Sequence, residues 1–312
     1  MALQIKKATR QKKKIRFALS GVSGAGKTFS ALKMATELVR LLYPGETPRI
    51  LLGDTEHESS TCYADGNPFE FDLCPLDPPF HPHKLVEFLQ LAKDYHVAIC
   101  DSMSHFHMGQ GGLLEIHDAV TKRMRGNSFA AWKEVTPLYN DMIESIIRCP
   151  AHLFGTLRAK SEYVQTEENG KKSVQKVGLS AQMRDGFEFE FDHHGRIDIG
   201  NSMVIEKTRC SELNDRVFNK PGKEMAEILA RWCSTGTDAP DLPPLDPRES
   251  QRPAYIAKIM TLADQVGAIE SCGVVLAADT LNLASMDTLL SIGKQLKEAA
   301  ENYGEQTDDT AA

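Results

Sequence analysis

The segment Gly21-Val22-Ser23-Gly24-Ala25-Gly26-Lys27-Thr28 spaces glycine, lysine and a hydroxyl as nucleotide polyphosphate binding requires. Glycines let the backbone turn N–H groups inward around phosphate oxygens, and a helix starting there adds partial positive charge. Gly21 through Phe29 is therefore the expected cradle for ATP. Lys27 is expected to reach the β- and γ-phosphates, and Thr28 to offer its hydroxyl to Mg2+. A dinucleotide turn would need a different glycine spacing, and a bare glycine turn would not need the Lys-Thr pair.

Three further constellations fit around that loop. Asp101 ends the apolar run Val97-Ala-Ile-Cys100, and a carboxylate at such a strand end can hold Mg2+ beside the phosphates. Asp54-Thr-Glu-His57 follows Ile50-Leu-Leu-Gly53. Hydrolysis needs a group to polarise the attacking water, and Glu56, at the tip of a strand expected to adjoin the loop, is the candidate, with Glu58 as its competitor. Glu206-Lys-Thr-Arg209 closes a late strand. Lys207 and Arg209 would share one side of an extended chain and could neutralise charge developing on a γ-phosphate. If they lie far from their own loop, they would serve a neighbouring subunit's ATP. The plain alternative is two solvated cations.

These groups need a scaffold, and the sequence spells one. Ile15-Arg-Phe-Ala-Leu-Ser20, Ile50 to Asp54, Val97 to Asp101 and His152-Leu-Phe-Gly-Thr156 read as short buried strands. Helical patterns separate them, over Phe29 to Leu42, His83 to Lys93, 112–124 and 130–148. Strands alternating with helices predict an α/β fold with a mainly parallel central sheet. Glu162 to Val177 reads as a polar hairpin turning at Asn169-Gly170. Residues 187–207 carry strand-like alternation, with Phe187, Phe189 and Phe191 on one apolar face; adjacent His193 and His194 would then point to opposite faces. The expected layout is a basic arm (1–14), an ATPase core (15–233) closed by a helix near 222–233, a Pro-rich linker (234–253), a small helical module (254–303) and an acidic, disordered tail (304–312).

The net charge of −7 is unevenly spread. Seven of the 36 basic residues fall in positions 1–16, leaving 29 against 43 acidic ones. Such an arm either binds nucleic acid or is a mobile, solvated terminus. No run is long and apolar enough to cross a membrane, and no apolar signal core follows the basic start, so a cytoplasmic protein is expected. The seven scattered cysteines predict reduced thiols. A metal site on Cys62, Cys74, His81 and His83 would need tighter spacing than these show.

With the loop, Asp54-Thr-Glu-His57, Asp101-Ser102 and Lys207-Thr-Arg209 in this order, the chain resembles RecA/DnaB/KaiC-type ATPases. More narrowly it resembles phage-encoded RecA-like ATPases of single-strand annealing and recombination, through Gly155-Thr-Leu-Arg-Ala-Lys-Ser-Glu-Tyr163, Lys176-Val-Gly-Leu179 and Met183 to Phe191. The resemblance covers residues 14–233. It implies a RecA-like P-loop core, ATP and Mg2+ binding, slow hydrolysis with Glu56 as the catalytic carboxylate, and a ring or filament of identical subunits. It also implies single-stranded DNA binding, Lys207 and Arg209 as trans-acting fingers, and Thr156 and Arg158 as the sensor region coupling phosphate to DNA. A single-strand-binding or annealing protein is a possible partner, and a bacterial host cytoplasm is the implied location. For DNA contact the candidates are Lys122, Arg123 and Arg125, and Arg158, Lys160, Lys171, Lys172 and Arg184. Two other readings stay open: a regulatory or assembly ATPase that does not touch DNA, and a small-molecule P-loop kinase with Arg209 acting in cis.

Overall fold

The apolar runs become strands buried on both faces, which is the signature of a parallel sheet covered by helices. In the computed structural model, residues 5, 7–66, 68–168, 171–238, 252–265, 281, 284 and 286–308 are described. Two compact units result, Met1–Asp118 with Tyr139–Leu242, and Ala119–Leu138 with Pro243–Ala312.

In the first unit β1 (Arg16–Gly21) enters the phosphate loop and α1 (Lys27–Leu42) leaves it. Then come β2 (Ile50–Asp54), β3 (Asp72–Pro75), α2 (Pro82–Leu91), β4 (Val97–Asp101) and a single helical turn, α3 (His105–Met108). Helices α4 (Leu113–Arg123) and α5 (Ser128–Arg148), of which Ala119–Leu138 belongs to the second unit, lead to β5 (His152–Glu168), β6 (Lys171–Ala181), β7 (His193–Ile197), β8 (Ser202–Lys207), β9 (Val217–Asn219) and α6 (Lys223–Ser234). The sheet runs β3-β2-β4-β5-β1-β7-β8-β9, with β6 paired to β5 alone. Pairs from β3 through β7 are parallel, and β8 and β9 add an antiparallel edge. Strand alternation sends Phe17, Leu19, Leu52, Ile99 and Phe154 to one face, where they bury against Leu32 and Leu38 of α1 and Met225 and Leu229 of α6.

Four findings depart from the expected layout. First, β5 is much longer than His152 to Thr156. Its first residues pair with β1 and β4, and from Ala159 it pairs with β6 as a two-stranded ribbon. Ten residues at about 3.3 Å each carry that ribbon about 33 Å past the sheet. The expected turn at Asn169-Gly170 lies outside the described residues.

Second, Phe187, Phe189 and Phe191 are not a strand face. Phe187–Glu190 is a 3-10 turn, and both Phe187 and Phe191 are buried while Phe189 is exposed. A strand would put all three on one side; a helical turn brings the first and last together, at 5.6 Å between ring centroids.

Third, the basic arm is tied down along residues 10–16. Lys12 N donates to Thr237 O (2.8 Å), Thr237 N to Arg10 O (3.0 Å) and Lys13 N to Cys233 O (3.2 Å). Arg16 is buried at the start of β1, where its guanidinium donates to the carbonyl of Ile147 in the last turn of α5 and to those of Cys149 and Ala151 just after it. A cation there meets the negative end of the helix dipole.

Fourth, in the second unit α7 (Arg252–Gln265) and α8 (Met286–Asp308) close a small core of Ile256, Ile259, Leu281, Met286 and Leu289. Helix α8 takes in residues 304–308 of the expected tail, while most of the expected linker lies outside the described residues.

His193 and His194 do point to opposite faces, and both are buried. His194 Nε2 pairs with Ser20 Oγ at 2.8 Å. His193 stacks on Phe17 and packs edge-on to Trp232, and burial, helped by Lys207 and Arg209, pushes its pKa down to about 3. The unfolded chain therefore takes up a proton near pH 6.5 that the folded chain refuses until about pH 3. His193 thus contributes stability at neutral pH that is lost as the pH falls. At about 1.4 kcal/mol per pH unit, acidification to pH 5 should cost about 2 kcal/mol through this group. Urea unfolding of His193→Asn should show lower stability at pH 7 and a correspondingly flatter pH dependence.

Candidate nucleotide site

The phosphate loop runs from the buried end of β1 into α1 through two left-handed glycines, Gly24 (φ 81°) and Gly26 (φ 84°). The first N–H groups of α1 have no carbonyl behind them; Ser30 N is the first to bond, to Gly26 O at 2.9 Å. A Cβ on Gly24 would meet nothing within 4 Å, so the mouth of the loop is open. Lys27 is buried, and its Nζ donates to Val22 O across the loop (3.0 Å). Burial lowers its pKa, while Asp101 and Glu56 act to raise it. Ser23 is exposed, and Ala25 is buried with its carbonyl turned away from the mouth. The Phe29 ring packs edge-on against Tyr63 (5.6 Å) and Phe69 (5.2 Å), so its backbone faces the loop and its side chain does not.

Asp101 lies at the centre. Its Oδ2 accepts from Thr28 Oγ1 and its Oδ1 from Thr156 Oγ1. Burial pushes its pKa up, against those two hydrogen bonds. A buried carboxylate and an adjacent threonine hydroxyl are hard oxygen donors that suit Mg2+. With the loop's N–H groups for phosphate, the residues present fit Mg-ATP.

Glu56 reaches this centre from farther off than expected. Strand β2 does not adjoin β1, because β4 and β5 lie between them. The β2 tip is instead stitched to the β4 tip. Thr55 N donates to Asp101 O (2.7 Å), and Ser102 N donates to Thr55 Oγ1 (2.8 Å). Buried Asp54 accepts from Glu56 N (2.6 Å), Ser60 N (3.0 Å) and Ser60 Oγ (2.6 Å), which fixes the turn carrying Glu56. The Glu56 carboxylate accepts from Arg158 Nε at 2.9 Å.

The chain carrying this loop on β1, Asp101 two strands away on β4 and Glu56 after β2 matches a known family. The AAA domain family covers residues 13–223 of the 312. The chain belongs to that family. No curated protein matches it.

Membership makes this AAA domain a P-loop ATPase unit, and the match stops where α6 begins. Within it the structure brings together Gly21 to Phe29, Asp101, Glu56, Thr156 and Arg158. Lys207 and Arg209 are not among them. Lys207 pairs in register with His194, and His194 with Ala18, whereas the loop starts at Gly21 beside Ile197. Strand β8 runs away from the loop, so Arg209 lies farther still, more than about 10 Å down the sheet and two strands across. Lys207 Nζ is held by the carbonyls of Phe189 and Phe191, and burial lowers its pKa. Arg209 is more available: it is 61% exposed and pairs with Asp192 at 3.0 Å.

Of the residues singled out for DNA, Arg158 belongs to the ATP site and Arg184 lies 4.8 Å over the Tyr139 ring. Lys160 is exposed on β5, and Lys171 and Lys172 stand on β6 opposite Glu168 and Glu167. Lys122, Arg123 and Arg125 are exposed, in the stretch assigned to the second unit, where Arg123 pairs with Glu134.

Asn201 went unnoticed in the sequence. From the β7–β8 turn (φ 60°) its Nδ2 donates to Ala25 O (3.0 Å), and a Cβ on Gly26 would fall 2.2 Å from it. It buttresses the loop from behind. An asparagine in a turn has no spacing signal; its only mark is tolerance of a left-handed backbone. The six described cysteines are free. Among the described residues no group of three or more His, Cys, Asp or Glu could hold a metal, and no helix is long and apolar enough to span a membrane.

Proposed function

We propose that this ATPase is a RecA-like protein that couples ATP hydrolysis to single-stranded DNA, in recombination or annealing, with ATP bound between identical subunits. One observation carries the reading. Strand β5 gives Thr156 to Asp101 and Arg158 to Glu56, then leaves the sheet as the β5–β6 ribbon. A two-stranded ribbon is marginal in water by itself, so it favours a partner along its length. Lys160, Lys171 and Lys172 supply cations to a phosphate backbone. A strand settling on the ribbon pulls on β5, and the first pair to feel it is Arg158 with Glu56.

Mg2+ held by Thr28 and Asp101 would supply positive charge to the β- and γ-phosphate oxygens. Lys27 swings from Val22 O to the phosphates, and Glu56, freed from or shared with Arg158, orients water and accepts its proton. Arg209, remote from its own loop, acts on a neighbour's ATP, and Lys207 holds the turn beneath it. The same remoteness argues against a kinase that uses Arg209 in cis.

Changing Lys160, Lys171 and Lys172 to Gln should weaken single-stranded DNA binding and flatten its salt dependence. Each lost phosphate contact removes about 0.7 from the log–log slope. Fluorescence anisotropy across a salt series checks this. An unchanged slope would place the DNA contact elsewhere or nowhere.

A further inference from the structure

The turn that follows Asp101 touches the backbone on both sides of the Glu56–Arg158 pair. Ser104 Oγ accepts from Arg158 N (2.9 Å), which fixes the backbone carrying the arginine. Beside it, His105 Nδ1 lies 2.6 Å from Oγ1 of Thr55, the residue before Glu56.

The Thr55 hydroxyl is buried, with one proton to give and two lone pairs. One lone pair takes the N–H of Ser102 (2.8 Å). The proton has two takers, Ser102 O at 3.2 Å and His105 Nδ1 at 2.6 Å. The shorter contact is closer than an N–H donor usually comes and ordinary for a hydroxyl donor, so the hydroxyl donates to the ring. Burial, helped by Arg158 and opposed by Glu56, lowers the His105 pKa, so at neutral pH the ring has a nitrogen free to accept. Its orientation is set from outside the ATP site. The imidazole stacks on buried Phe80, with centroids 4.9 Å and planes 24° apart. A Cβ on Gly109 would lie 2.6 Å from the Phe80 ring, so that glycine admits the stack, and its N–H bonds to His105 O (2.8 Å).

The Glu56 turn needs an outside tether. It continues through His57 and Glu58, both left-handed at φ 57°. Residues with a Cβ hold that conformation only where the surroundings impose it. We propose that His105 is a positioning residue for hydrolysis: by taking the Thr55 proton it holds the turn that aims Glu56 at the attacking water. It acts through Thr55, and Phe80 and Gly109 keep it in place. The inference rests on the ATPase reading and on Glu56 as the carboxylate that polarises water. A histidine that merely packs the turn would affect melting and not the rate in particular.

The test measures kcat, KM for ATP and melting temperature of the full chain as wild type, His105→Phe, His105→Asn, Thr55→Val and Thr55→Val/His105→Phe, with Glu56→Gln as the reference. Phenylalanine keeps the stack and removes the acceptor. It should lower kcat about tenfold with KM within about twofold, because a small misplacement of a reacting group carries a large rate penalty. Asparagine puts an amide oxygen close to where Nδ1 stands, and should return kcat to within about threefold of wild type. Thr55→Val should slow hydrolysis at least as much as His105→Phe, and combining the two should cost nothing beyond Thr55→Val alone. Wild-type kcat in His105→Phe or in Thr55→Val, asparagine as slow as phenylalanine, or losses that multiply in the double variant would each overturn the proposal. So would a lower melting temperature with kcat intact, which would leave His105 a packing role alone. If His105→Phe does not fold, Thr55→Val and His105→Asn decide: the first must be slow and the second must not. A slow Glu56→Gln beside a fast His105→Phe would sink this inference only. A fast Glu56→Gln would sink the reading of Glu56, and this inference with it.

Discussion

Glu56→Gln should lower kcat for ATP hydrolysis about 10²- to 10⁴-fold while leaving ATP binding within a few-fold. The amide keeps the shape of the carboxylate and can still accept from Arg158 Nε, but it cannot take a proton from water. The pair it replaces is partly exposed, with side chains 39% and 28% accessible, so the fold should lose at most about 1 kcal/mol. The Asp54 bonds that fix the turn use the Glu56 backbone and survive. A loss in kcat with nucleotide affinity intact is what removal of a transition-state contact gives. Single-turnover hydrolysis beside equilibrium binding of an ATP analogue separates the two, and an equal loss of both would assign Glu56 to binding.

Lys27→Ala should also cut hydrolysis, by at least about 10²-fold, and weaken ATP binding as well, because the ammonium would contact the phosphates in both ground and transition states. Stability should move the other way. Lys27 is buried, burial lowers its pKa, and its Nζ donates to the carbonyl of Val22 in its own loop. Deleting a costly buried cation leaves that carbonyl at the open mouth of the loop. Thermal melting without nucleotide should be unchanged or higher in the variant, and the rise that ATP gives wild type should vanish.

The sequence discloses the parts of this site that depend on local pattern. Strands buried on both faces read as unbroken apolar runs, so β2 and β4 end where expected, at Asp54 and Asp101, and β1 runs one residue past the expected Ser20, to Gly21. The loop declares itself because its glycines, Lys27 and Thr28 are contiguous. What stays hidden depends on strand order. Periodicity says which side of a strand is buried but not which strand lies beside it, so the insertion of β4 and β5 between Glu56 and the loop could not be read. Thr156 and Arg158 came forward only by resemblance, and their contacts with Asp101 and Glu56 exist because β5 separates β1 from β4. Phe187, Phe189 and Phe191 misled because alternation over five residues cannot be told from one short helical turn. Lys207 looked like a free cation, since nothing in a sequence marks a side chain that caps carbonyls 16 and 18 residues away.

The most direct test is the steady-state rate of ATP hydrolysis by the full chain, at low salt, with and without single-stranded DNA, with Lys27→Ala as the blank. A DNA-dependent rise in rate that the variant lacks is the predicted result. Hydrolysis indifferent to DNA, with no DNA binding in the presence of ATP, would contradict the coupling through β5 and leave an ATPase with another task, such as assembly or regulation.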